Sequence, residues 1–382
     1  MFRRVFMAWR FVFLTAILAL VAACGAPAPL QVASVPIPHG TGASASFDVV
    51  QIDQANHRLY AADRAGGIDV FDVSKARGKY LQSIPLAASP NGLALAPDLD
   101  RLFAGLANGS VAIVDLKPGS ANTDTVVQTA VTGGKEADLL DYSASTHLVY
   151  VSNGIGGSIT TIDAASGDVK QHYKVGYALE QPRFNPVDGM LYVTSPDADA
   201  LFRIDPASGA IKSKFALGGC TPTGMAIDPQ TDHALIACRL SMIDWNLRAA
   251  SAANFGQISG GDVVTYDSKI DRFFVAVPGQ SPQSSVGIFS GNPIDFVSTV
   301  VTNAGGNSAA YDETNGVIYT PDIRPNRVGL ASFQPPSPDQ TLASALPSLA
   351  PFLGALGVIA LFIILVARGA DPIRRPMPTP SK

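Results

Sequence analysis

Charge is scarce in this sequence: 15% of its 382 residues are Asp, Glu, Lys or Arg, and the formal balance is −4. A surface without cationic excess cannot neutralise a phosphate backbone, so nucleic acid is excluded as an obligate partner. Cysteine is scarcer still. No Cys-x-x-Cys or haem-attachment spacing occurs, which argues against a redox-partner or quinoprotein-like domain. There is no Gly-x-Ser-x-Gly elbow, no His-Glu-x-x-His pair and no P-loop, so the motifs that would announce an enzyme are missing. The histidines His39, His57, His147, His172 and His233 are scattered; His57, His147 and His233 fall in predicted turns, where solvation accounts for them. Glycine (35) and proline (28) are plentiful, as many short strands joined by turns require.

Both ends read as targeting segments rather than fold. Arg3, Arg4 and Arg10 accompany an apolar stretch, 11–20, of signal-peptide length, and Val21-Ala22-Ala23-Cys24 reads as a lipobox in which Cys24 receives the lipid. Ordinary cleavage at the small residues and an uncleaved anchor stay open as alternatives. Residues 346–367 carry no charge; at about 1.5 Å per residue they span the ~30 Å hydrocarbon core as a transmembrane helix. Arg368, Arg374, Arg375 and Lys382 follow, and the positive-inside rule puts that tail in the cytoplasm. The N-terminal arginines agree, so the intervening chain is expected on the extracytoplasmic side of a single-pass cell-membrane protein. The expected divisions are a signal peptide (1–23), a linker (24–31), the folded domain (32–334), a Pro/Ser-rich stalk (335–345), the membrane helix (346–367) and the basic tail (368–382).

The interior repeats about every 43 residues. Its register mark is an apolar–aromatic or apolar pair: Leu59-Tyr60, Leu102-Phe103, Val149-Tyr150, Leu191-Tyr192, Leu235-Ile236, Phe273-Phe274 and Ile318-Tyr319. Runs of period two, with turn residues between them, predict a β meander in each unit. Asp72, Asp115, Asp163 and Asp205 close the third strands of the first four units, where Asx turns account for them. Unit five departs from the pattern: 241–256, with Trp245 and an alanine-rich stretch, shows no clear third strand. One such unit cannot bury both its faces, but seven stacked radially can, and the expected fold is an all-β, seven-bladed β-propeller. The segments Leu191-Tyr192-Val193-Thr194-Ser195 and Val149-Tyr150-Val151-Ser152-Asn153 resemble the YVTN-repeat family of propeller proteins over about residues 46–334. That resemblance implies a fold and no particular activity.

Unit seven stops after three strands at Pro335, while Ser34-Val35-Pro36-Ile37 matches the fourth strand of unit one, Ser83-Ile84-Pro85-Leu86. The N-terminal segment is therefore expected to supply the outer strand of the last blade, an edge position where Pro is tolerated. The first strands begin at Asp48, Asn91, Glu136, Glu180, Thr223, Asp262 and Asn307, which are expected to converge as a ligand-binding ring at one channel mouth. Glu136, Glu180 and Asp262 offer oxygen ligands suited to Ca or Mg, and the arrangement is similar in kind to the metal site of gluconolactonase-type propellers, without their motif. Solvated carboxylates are the competing reading. Cys220 and Cys238 fall in one unit, either as a disulfide, which needs a bend at Thr221-Pro222, or as buried thiols. The leading functional expectation is a membrane-anchored, non-enzymatic module that binds a small ligand or an envelope protein at this mouth. The alternative is a divalent-metal-dependent, lactonase-type hydrolase.

Overall fold

The computed structural model describes residues 31–38, 46–279, 284–324 and 327–335, which form seven antiparallel sheets of four strands each. The signal segment, Cys24, His39, the stalk beyond Pro335, residues 346–367 and the basic tail lie outside the described residues. Among those described, no helix is long and apolar enough to cross a membrane.

Six sheets use consecutive strands; the first runs Phe47–Asp53, Arg58–Asp63, Gly67–Asp72, Lys79–Ile84. In each, the second and third strands are almost wholly buried, because neighbouring blades cover both faces. Leu59, Tyr60, Ala61 and Ala62 are each at most 2% exposed, whereas Lys79–Ile84 at the rim is largely open. This explains the register mark: Tyr60, Phe103, Tyr150, Tyr192, Ile236, Phe274 and Tyr319 are all buried between blades. The first strands face the centre. Gln181 of the fourth blade meets the backbone of Met225 in the fifth (2.8 Å) and of Val264 in the sixth (3.3 Å).

The ring closes as expected. Gln31–Pro36 pairs outside Arg327–Phe333 in the seventh blade, with Val35 opposite Leu330 and Gln31 opposite Phe333. Val35 and Ile37 share one apolar cluster with Tyr319 and Leu330 of the last blade and with Phe47 and Phe71 of the first. Gly329 is a required glycine here, since a Cβ would run into the Val35 carbonyl and the Pro36 Cα. The Tyr319 hydroxyl adds hydrogen bonds to the carbonyls of Lys75 and Ala76 across the seam (3.1 and 3.0 Å).

Two details differ from or resolve the sequence reading. The fifth blade is complete: Met242–Asn246 is its third strand and Ser251–Phe255 its fourth. Polar residues that obscured its periodicity pair within the sheet, His233 Nδ1 with Asp244 Oδ1 at 2.6 Å and Asn246 Nδ2 with His233 Nε2 at 2.9 Å. His233 is thus a paired residue, not merely a solvated one. Trp245 is buried against Phe215 (centroids 5.2 Å apart). Cys220 and Cys238 form a disulfide, and the bend it needs is present, with Thr221 at φ +49°. The repeat-end aspartates make the expected Asx turns, as in Asp72 Oδ1 accepting the Ser74 N–H at 2.8 Å.

Candidate functional site

The first-strand starts do not all come from the same kind of backbone. Asp48, Asn91 and Thr223 sit where the ladder between first and second strands shifts register, between Phe47 and Val50, Pro90 and Leu93, and Pro222 and Met225. Such bulges re-aim side chains. In the third, fourth and sixth blades the strand begins later, and the residues two places upstream donate their N–H groups to the second strand instead. Asp138 bonds Ser152 O (2.9 Å), Glu180 bonds Thr194 O (3.0 Å) and Asp262 bonds Ala276 O (2.8 Å).

That shared bond corrects one alignment. The third-blade residue equivalent to Glu180 and Asp262 is Asp138, not Glu136. Asp141 imitates the turn residue Asp53 in the sequence, but it lies opposite Tyr150 as Gln51 lies opposite Tyr60, two places before the turn. Glu136 is an additional carboxylate at the same mouth. Its Oε1 accepts the Ile155 N–H at 3.0 Å, and Gly154 leaves the space that Glu136 Oε1 and Asp138 Oδ2 both approach. The signal for Asp138 was readable: residues i and i+2 of an extended segment share a face, so a carboxylate two places from Glu136 belonged in the ring.

Five carboxylates, Asp48, Glu136, Asp138, Glu180 and Asp262, therefore face one mouth; burial raises Asp48, and burial with mutual repulsion raises Asp138, Glu180 and Asp262. Burial, then the charges of Asp48 and Glu136, push Asp138 up to about 7, against the lowering pull of Arg64. Burial, then Asp138, Asp262, Asp48 and Glu136, raise Glu180 to about 8. Burial and Asp48 raise Asp262 to about 7, again opposed by Arg64. Asp48 is raised by burial in spite of its ion pair with Arg64, which comes from the loop between the second and third strands of its own blade. Asp138, Glu180 and Asp262 therefore hold protons near neutral pH, with Arg64 the guanidinium that opposes this at Asp138 and Asp262.

The other ring positions make hydrogen bonds from one blade to the next. Asn91 Nδ2 donates to Ala137 O (3.2 Å), Asn307 Nδ2 to Phe47 O (3.3 Å) and Thr223 Oγ1 to Gly261 O (2.7 Å), each stitching one blade to the next. Among the described residues, no three His, Cys, Asp or Glu side chains stand close enough together to hold a metal ion. Deeper in the channel, the residues aligned with Gln51 include Asp141 and Arg183, paired at 3.5 Å. Burial raises Asp141 and lowers Arg183, each partly offset by the other. They line a pocket of about 320 Å³ at the opposite mouth, with Tyr142, Phe184, Pro186, Pro229 and Tyr266.

Fold and mouth together define the class: a seven-bladed β-propeller whose channel opens on one face through a ring of acids. Solved structures share this architecture. One is hydrazine synthase from Kuenenia stuttgartiensis, at TM-score 0.63 and 14% identity, covering 76% of this chain and 97% of that one. At that identity the likeness speaks for the fold alone. No protein-family model matches the chain, and no curated protein does.

Proposed function

We propose that this chain, a propeller of YVTN-type repeats, is a membrane-anchored binding module outside the cytoplasm that takes a positively charged ligand at its acidic mouth. The observation that carries the reading is the imbalance there, five carboxylates against Arg64. A cation entering the mouth relieves mutual repulsion and gains hydrogen-bond acceptors. Among the described residues, the side chains of Asp138, Glu180 and Asp262 accept no hydrogen bond, so their oxygens are available to a donor.

The anchoring part of the reading rests on the uncharged segment 346–367, the basic tail and the lipobox at Cys24. The propeller's own ends agree with a double tether. Gln31 lies opposite Phe333, at the start of a fourth strand and the end of a third, so both ends leave on the face opposite the acidic mouth. The Cys220–Cys238 disulfide suits an oxidising compartment. The hydrolase alternative keeps one supporting observation, the approach of Glu136 and Asp138 to a common space above Gly154, where a Ca or Mg ion could draw Glu180 or Asp262 inward.

Calorimetry of the full chain in mild detergent tests the choice. Binding of a lysine-bearing peptide, lost in the Glu180→Gln/Asp262→Asn double variant, supports the module. Heat with Ca²⁺ or Mg²⁺ but none with the peptide, together with metal-dependent turnover of simple lactones, supports the hydrolase. Protease accessibility of the propeller in intact cells checks the compartment.

A further inference from the structure

Among the described residues, the most exposed large apolar side chains are not spread evenly. Ile155 is 82% exposed, Leu240 76% and Val131 73%, while the next, Val187, is 50%. A single exposed aliphatic residue means little. These three, however, share a face. Ile155 and Leu240 are the tips of loops joining second to third strands in the third and fifth blades. Val131 ends the fourth strand of the second blade. In a meander whose first strand begins at the acidic mouth, all three positions lie on the mouth's face. The corresponding loop tips of the first, second and fourth blades are small or polar: Arg64-Ala65-Gly66, Ala107-Asn108-Gly109 and Pro196-Asp197-Ala198-Asp199.

Ile155 is also tied directly to the ring, since its own N–H is the group that holds Glu136 Oε1. The turn beneath it is fixed: Asn153, fully buried, donates to Ser158 Oγ (3.1 Å) and Thr160 Oγ1 (3.0 Å). The apolar tip is therefore held in place beside the carboxylates, on a turn whose geometry the core sets.

Resting on the reading of the mouth as a cation site, we infer that its partner is a protein segment carrying a lysine or arginine between large apolar residues. The cationic head enters among Glu136, Asp138, Glu180 and Asp262, and the flanking apolar side chains cover Ile155 and Leu240. Charge complementarity selects this occupant. An anionic membrane surface would be repelled by the same carboxylates, and a small free cation would leave the aliphatic tips in water. Lys135 and Arg239, exposed next to Glu136 and Leu240 in the chain, disfavour a uniformly basic partner, so the partner's charge must be focused rather than spread. Apolar contact of this kind supplies affinity, and the central charge supplies register.

The test uses two synthetic peptides, capped Phe-Lys-Leu and capped Gly-Lys-Gly, titrated into the full chain in mild detergent. The first is expected to bind about tenfold more tightly, as burial of one or two aliphatic side chains gives. In the Ile155→Ser/Leu240→Ser variant the two affinities should converge on the weaker one, while Glu180→Gln/Asp262→Asn should abolish both. Equal affinities for the wild type overturn the inference and leave the cation site standing. A preference that survives the Ile155→Ser/Leu240→Ser change also overturns it. Failure of both peptides sinks the inference together with the underlying reading.

Discussion

Replacing Glu180 by Gln removes a charge that the fold holds at a cost. The carboxyl is raised from the usual 4.5 to about 8, first by burial and then by four neighbouring acids. The sign follows from linkage. Between those two values the native chain keeps a proton that the unfolded chain releases, so native stability falls as pH rises through this window. At about 1.4 kcal/mol per pH unit, an isolated group with that shift would destabilise the fold by up to ~5 kcal/mol above pH 8. The neighbours can take up protons in its place, so a gain of roughly 1–3 kcal/mol is expected for Glu180→Gln at pH 8.5. At pH 4.5 the variant should match the wild type. The ring closes within residues 29–335, so urea unfolding of that segment at several pH values reads the effect directly. A variant less stable than the wild type at pH 8.5, or a difference that does not change with pH, would refute the electrostatic account of the mouth.

Arg64→Met removes the one cation that lowers Asp48, Asp138 and Asp262; calorimetry at pH 8.5 should show a lysine peptide binding several-fold more tightly, and unchanged affinity would contradict the placement of that guanidinium. Gly329→Ala drives a Cβ into the backbone of Val35 and Pro36 and should cost on the order of 2 kcal/mol or more in urea unfolding. Serine at both Cys220 and Cys238 opens a bridge spanning 18 residues, and the chain-entropy model gives a loss of about 3 kcal/mol, measurable against the oxidised protein by the same unfolding curves.

The seven-fold repeat was legible because the second strands must be apolar on both faces, and Leu59-Tyr60 or Leu191-Tyr192 has no other reason to recur. Closure was legible too, since a unit lacking its fourth strand needs one, and Ser34-Val35-Pro36-Ile37 matched. The fifth blade misled because Asp244 and Asn246 break the apolar pattern, and their partner His233 lies a hairpin away. The acidic ring was read with one slip. Counting back from a turn residue assumes equal strand lengths, and in the third blade the position opposite Tyr150 is itself an aspartate, Asp141, which imitates the turn. Arg64 could not be assigned at all, because only the folded hairpin brings residue 64 back beside Asp48. The exposed tips at Ile155 and Leu240 look like ordinary members of an apolar sequence until the strands around them are placed.

Proton release on binding probes the acidic mouth most directly. Titrating a lysine-bearing peptide into the full chain at pH 7, in two buffers of different ionisation enthalpy, counts the protons displaced when the cation arrives. With Asp138 and Asp262 at about 7 and Glu180 at about 8, roughly one proton should leave per peptide bound, and the Asp138→Asn/Glu180→Gln/Asp262→Asn variant should give no binding heat. Binding of equal heat in both buffers, or binding undiminished in that variant, would mean that the acids at the mouth are not where the ligand goes.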